Sequence, residues 1–277
     1  MFKNYLKIAI RNLVRHKIYS FINVFGLAVG IAFCILTFLF VRHEWTYDAF
    51  HENADSIYRV ISFAELDGKA QAFAISPAPM APALIQESPG VKRAVRFKKM
   101  GGVVNYKDKS FNERILLMDP SFFQVFSFPL LKGNPATVLN NKNSIVISAE
   151  VARKYFGHED PLGKSVSVRT DGYYTSRIGF QDFIVRGVVR KAPENSSIQF
   201  DFLLPFTNYT ECKGYSDDWG RGDTYTYIQL SDNVRVSDLE RQIALLSGRH
   251  YRDQYGSEGH PKRFLLQPIT DIHLKTF

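Results

Sequence analysis

One stretch constrains this chain more than any other. From Ile18 to Val41 it reads IYSFINVFGLAVGIAFCILTFLFV, with no charged residue between Lys17 and Arg42. Roughly 24 residues rising 1.5 Å each make a helix long enough to cross a hydrocarbon core of ~30 Å. A cleaved signal would carry a shorter apolar core ending at a small-residue site. This run ends in Phe38, Leu39, Phe40, Val41 and Arg42, with no A-x-A-like site. Residues 18–41 therefore read as a retained transmembrane helix.

The flanks orient it. Lys3, Lys7, Arg11, Arg15 and Lys17 precede the run with no acidic residue among them, whereas Glu44, Asp48, Glu52 and Asp55 follow Arg42. The positive-inside rule places the N-terminus in the cytoplasm and everything after Arg42 outside it. Lys3, Lys7, Arg11 and Arg15 recur every fourth residue and Phe2, Leu6, Ala9, Ile10 and Leu13 form another face. Residues 1–17 thus predict a basic amphipathic helix on the cytoplasmic leaflet. Within the run, Gly26 and Gly30 form a G-x-x-x-G, and Asn23 is a polar group that prefers a partner helix to lipid. Both predict helix–helix contact in the membrane.

The formal charge of +8 invites a nucleic-acid reading, which its distribution removes. Six of the 35 Lys and Arg, and none of the 27 Asp and Glu, lie in residues 1–42, so the rest of the chain is nearly balanced. The excess sits where membrane topology requires it. Of the two cysteines, Cys34 lies in the apolar run and Cys212 far beyond it. A domain of this size is expected to be held by its core rather than by disulfides.

Past Arg42 the pattern is mixed α+β. Strands are expected at Asp55–Phe63, Val91–Phe97, Gly102–Tyr106 and Phe111–Met118, with a turn at Lys107–Lys109 and a helix over Pro77–Glu87. Ser144–Ile147 reads as a short strand. A helix follows, capped by Ser148 and ended by Gly157. Val166–Thr170 and Tyr173–Ile178 flank Asp171-Gly172, a hairpin signal, and Phe183–Val189 is a further strand. Thr224–Leu230 and Phe264–Gln267 bracket a helix in which Ser237 and Glu240 form a capping box and Leu239, Ile243 and Leu246 share one face. The order predicts two β-α-β halves packed together, residues 50–118 and 223–277, with a β-rich lobe, residues 119–222, inserted between them.

No catalytic chemistry is legible. His43, Glu44, Asp48 and His51 could be imagined as metal ligands, but on a helix the two histidines stand eight residues apart, too far to share an ion easily. They read as a polar exit from the membrane. Asp217 and Asp218 beside Trp219 and Gly220 read as a polar loop. The sequence has no G-x-S-x-G, H-E-x-x-H, C-x-x-C or P-loop, so catalytic, cofactor-binding and metal residues are all expected to be none.

Several stretches resemble bacterial ABC transporter permeases of the MacB/FtsX type. Asn4–Ala32 resembles that family's interfacial helix running into its first transmembrane helix. Glu44–Val60 (EWTYDAFHENADSIYRV) resembles its lead into the periplasmic domain. Met118–Leu139, Ser144–Gly157, Glu159–Lys164, Gly187–Pro205 and Leu266–Leu274 follow in family order. The resemblance implies a MacB-like periplasmic core domain over residues 42–277, with a porter-like subdomain made from both ends. It also implies the bacterial inner membrane, and a permease coupled by mechanotransmission to ATP hydrolysis in a partner ATP-binding cassette subunit. Dimerisation through the transmembrane helix and a periplasmic adaptor or substrate protein are further implied partners. The family carries more transmembrane helices after this point, so the chain is expected to be the N-terminal portion of a longer permease. A single-pass ligand-binding or sensor ectodomain is the alternative, although about 17 cytoplasmic residues leave no room for an output domain.

Overall fold

The computed structural model describes residues 2–66, 69–170, 179–210, 216–256 and 263–275. The chain divides into two units, Met1–Thr46 and Tyr47–Phe277.

The first unit is two helices, α1 (Phe2–Arg15) and α2 (Lys17–Trp45). His16 interrupts them with non-helical angles, φ −112° and ψ 56°, and the Ser20 hydroxyl donates to the Leu13 carbonyl across the break at 3.0 Å. Lys7, Arg11 and Arg15 are exposed along α1. None of the residues of α2 is buried within the chain. Its stretch Ile18–Val41, uncharged and apolar on all sides, is suited to lipid or to other helices. The helix runs one turn beyond the apolar stretch, and Arg42 and His43 in that turn suit the negative end of the helix dipole.

The second unit contains, in chain order, β1 (Ile57–Leu66), β2 (Lys69–Phe73), β3 (Ser76–Pro77), α3 (Met80–Glu87), β4 (Val91–Tyr106), β5 (Lys109–Met118), α4 (Phe122–Val125), β6 (Leu130–Lys132), β7 (Ser144–Ser148), α5 (Ala149–Phe156), β8 (Ser165–Thr170), β9 (Gln181–Val189), β10 (Phe202–Pro205), α6 (Thr207–Thr210), β11 (Gly222–Leu230), α7 (Val236–Tyr255) and β12 (Arg263–Pro268). The described strands make one mixed sheet in the order β12-β1-β11-β4-β5-β10-β7-β9-β6; β2 pairs with β1, β3 with β11, and β8 with both β4 and β9. The pairs β10–β5 and β7–β9 are parallel.

One half of the sheet thus joins the two ends of the domain: β1 lies between β11 and β12. Helices α3 and α7 supply Met80, Leu84, Leu239, Ile243 and Leu246 to a core with Val60, Ile228 and Phe264. The last four residues of the central strand β5 are buried on both faces. Ile115 and Leu117 pack into one core, Leu116 and Met118 into another, as the two-residue period of a strand requires.

Several expected elements are present. The Ser148 hydroxyl accepts from the Val151 N–H at 3.2 Å and Gly157 ends α5 with φ +63°. Lys107 and Asp108 form a two-residue hairpin turn, with Lys107 at φ +53°. Other expectations are corrected. Val91–Phe97 and Gly102–Tyr106 are one 16-residue strand, unbroken by its glycines. Gly102 is required there because β8 crosses closely; a Cβ would lie 2.7 Å from the Arg169 carbonyl oxygen. The helix expected from Pro77 begins at Met80, since Ser76–Pro77 pairs with β11. The capping box is absent. Arg235 occupies the N-cap of α7, and Glu240 reaches away to accept the Leu266 N–H of β12 at 2.8 Å. The Asp171-Gly172 hairpin, Tyr173–Ile178 and Cys212 lie outside the described residues.

Candidate functional site

The chain enters the domain at Tyr47, directly after the helical unit, and its first ten residues are fastened at several points. Tyr47 lies flat on His273, with ring centroids 3.5 Å apart and planes 3° from parallel. The first and last described stretches of the domain therefore meet.

Asp48 follows, fully buried and at φ +55°, a left-handed conformation that short polar side chains tolerate better than others. Its N–H donates to the Asn195 carbonyl at 2.9 Å. Its Oδ1 accepts from the Ser197 N–H at 2.9 Å and from the Ser196 hydroxyl at 3.2 Å. Burial pushes the carboxyl pKa up, against these hydrogen bonds and the His273 charge, which pull it down. His51, 3% exposed, packs among Phe50, Phe126 and Phe128. Its Nδ1 accepts from the Ser127 N–H at 3.1 Å, and Ser127 Oγ accepts from the Glu52 N–H at 2.9 Å. Burial lowers the imidazole pKa to about 4.

The other side of this base is polar and equally tied. Gln267 is fully buried on β12. Its Oε1 accepts from Arg59 at 2.6 Å, and its amide donates to the carbonyls of Lys275 at 3.0 Å and Asp271 at 3.3 Å. Lys275 pairs with Asp271 at 2.7 Å. One buried amide thus pins the last described turn to the sheet. Gln229 makes a similar bridge, accepting from Arg93 at 3.0 Å.

The imagined metal site does not assemble. With Nδ1 occupied as an acceptor, the neutral His51 ring carries its proton on Nε2 and has no free lone pair for a metal. Asp48 Oδ1 is held by the Ser196–Ser197 turn. Among the described residues no group of three or more His, Cys, Asp and Glu could hold a metal ion. Asp217 and Asp218 belong to a loop strapped onto α7. Asp218 accepts from the Gly220 N–H at 2.8 Å and from the Tyr255 hydroxyl. The Trp219 N–H donates to Gln254, and its ring stacks on His250. On α2, side chains in place of Gly26 and Gly30 would meet nothing within 4 Å, and Cys34 is exposed and free. Sequence reasoning missed the roles of Gln267, Ser127 and the Ser196–Ser197 turn. The Ser127 and Ser196–Ser197 contacts, and that of Gln267 with Arg59, run across more than 70 residues of chain, for which no local pattern exists.

The family model of the MacB-like periplasmic core domain matches residues 20–246. The macrolide export ATP-binding/permease protein MacB of Neisseria gonorrhoeae is 22% identical over 259 residues, which are 90% of this chain and 38% of that protein. The MacB of Neisseria meningitidis is 21% identical over the same length. The chain thus spans 38% of the length of these curated relatives. A crystal structure of a permease protein domain from Porphyromonas gingivalis shares 26% identity and superposes with a TM-score of 0.65, covering 79% of this chain and 91% of that one. The periplasmic region of MacB from Actinobacillus actinomycetemcomitans shares the fold at 16% identity, TM-score 0.53, covering 81% and 95%. The extracellular domain of the ABC-type transporter YknZ does so at 17% identity, TM-score 0.51, covering 76% and 99%. A mixed α+β domain of this topology, preceded by one long apolar helix and matched along most of its length, belongs to the MacB-like periplasmic core domain family of ABC transporter permeases.

Proposed function

We propose that this chain is the N-terminal portion of a permease subunit in an ABC-type export or mechanotransmission system. Helix α1 lies on the cytoplasmic leaflet, α2 crosses the inner membrane, and residues after Arg42 are periplasmic. ATP hydrolysis is supplied by a partner ATP-binding cassette subunit. The permease works as a dimer and engages a periplasmic adaptor or substrate protein. Both ends of the domain build the porter-like half, residues 50–118 and 223–277, and residues 119–222 form the second lobe.

The observation that carries this reading is the fastened base. A movement of α2 reaches the domain through Thr46 and Tyr47, and Tyr47, Asp48, His51 and Glu52 are each locked to distant segments within six residues. A loose linker would dissipate such movement, whereas this junction transmits it to the sheet. The chemistry of the domain supports the same role, because Asp48 Oδ1, His51 Nδ1 and the Gln267 amide all hold distant backbone or side-chain groups.

The test is co-purification and coupling. Detergent-solubilised membranes should yield an ATP-binding cassette protein with this chain, and deleting residues 2–17 should abolish transport by the assembled system while leaving the periplasmic domain folded. Recovery of no such ATPase, or full transport after the deletion, overturns the proposal.

A further inference from the structure

The sheet ends at β6, and a groove lies beside that end. Among the described residues β6 pairs with β9 alone, which leaves its other edge open. The strand has three residues, and its register against β9 shifts between Leu130 and Lys132. Such an edge suits a short extended segment rather than a further full strand.

The groove holds about 400 Å³, a volume typical of binding clefts. Phe128 in its wall is buried, Phe123 and Leu130 are half-buried, and Pro135 is exposed. Glu52 and Gln124 are exposed along it, and Glu52 is the one charged side chain among the described residues that line it. No cation among the described residues pairs with the Glu52 carboxylate. Its position is fixed all the same, because the Glu52 N–H donates to Ser127 Oγ at 2.9 Å. A lone carboxylate thus stands at a set place beside apolar walls and an unpaired sheet edge.

We propose that this groove binds a short extended peptide segment of a periplasmic partner protein. One apolar side chain of the segment lies against Phe123, Phe128 and Leu130, and a lysine or arginine lies beside Glu52. Three features favour that occupant. The open edge offers backbone N–H and C=O groups at the spacing of another extended backbone. The apolar walls take one of the alternating side chains that such a backbone presents. The carboxylate supplies charge complementarity to a cation and rejects an acidic segment. The inference rests on the partner engagement proposed above for the partner's being a periplasmic protein, whereas peptide capture itself needs neither ATPase nor transport.

The probe is a phage-displayed library of random dodecapeptides, panned against the full chain in neutral detergent after depletion on empty micelles. Enriched peptides should carry Lys or Arg flanked by apolar or β-branched residues. A labelled synthetic copy should bind saturably by fluorescence anisotropy. Glu52→Gln should weaken that copy about fivefold, the size of one exposed ion pair. Gln124→Trp, which fills the groove from an exposed position of α4, should abolish binding. Asp232→Asn, on the turn between β11 and α7, should leave binding unchanged, and all three variants should keep the parent's unfolding midpoint. No enrichment, enriched peptides without a cation, or equal binding by Glu52→Gln or by a folded Gln124→Trp overturns the proposal. If Gln124→Trp fails to fold, Glu52→Gln decides. Peptide capture by a chain that brings down no ATPase would overturn the transport reading alone.

Discussion

Tyr47 and His273, 226 positions apart in the chain, stack face to face with ring centroids 3.5 Å apart. Stacked aromatic pairs contribute on the order of 1 kcal/mol beyond their buried area. A double-mutant cycle with Tyr47→Ala and His273→Ala, read by urea unfolding in detergent, should therefore return a coupling of about 1 kcal/mol. A coupling near zero would show that the stack does not fasten the base.

Asp48 offers a sharper case. Asp48→Ala strands the Ser197 N–H and the Ser196 hydroxyl in a buried turn and puts a Cβ-only side chain at φ +55°. The expected cost is about 2 kcal/mol or more, from the lost hydrogen bonds and the left-handed backbone together. Asp48→Asn keeps the accepting oxygen and tolerates that backbone, and should cost about half as much or less. Equal losses in the two variants would remove the hydrogen-bonded turn as the reason for this residue.

His51 should set part of the acid limb of stability. Its folded pKa is lowered from 6.5 to about 4. Below pH 6.5 the unfolded chain takes up a proton that the folded one refuses, so stability falls as pH drops from 6.5 towards 4. The full effect is at most about 3 kcal/mol. Asp48 acts in the opposite sense, because its raised pKa lets the folded state hold a proton just above pH 3.8 that the unfolded state has released. His51→Asn keeps an acceptor for the Ser127 N–H and should flatten the loss between pH 6.5 and 4. An unchanged pH profile would show that another group controls it.

Gly102 should resist any side chain. A Cβ would meet the Arg169 carbonyl oxygen at 2.7 Å and the Thr170 Cα at 3.0 Å, both backbone atoms that cannot turn aside. Gly102→Val should destabilise by about 2 kcal/mol or more, with hydrogen exchange accelerated first in β8. Unaltered protection of residues 165–170 would contradict this account.

Topology is open to labelling. On a Cys34→Ser, Cys212→Ser background, Asp108→Cys at the β4–β5 turn should react with a membrane-impermeant maleimide in cells whose outer membrane is permeabilised. Lys7→Cys should react only after the inner membrane is opened. The reverse pattern would invert the proposed orientation.

The long apolar helix was legible from Ile18–Val41 because hydrophobic length is a one-dimensional quantity. The Ser148 cap, the Gly157 stop and the Lys107–Asp108 turn were legible for the same kind of reason: each is decided by neighbours within four residues. The capping box was misread because Ser237 and Glu240 carry the right local pattern while a tertiary partner, the Leu266 N–H, claims the carboxylate. Strand β10 escaped notice because FLLP, buried on every side, has no period to betray a strand. Likewise Val91–Tyr106 looked broken at its glycines, and only the approach of β8 explains why a glycine there continues the strand. Composition and short-range pattern were enough to establish an α+β chain with one long apolar helix near its start and its charge excess beside that helix. Which residues fasten the base, Tyr47 to His273 and Gln267 to Lys275, was decided by contacts between segments some 8 to more than 200 residues apart, and such pairings are settled by packing in three dimensions, which no stretch of chain encodes alone.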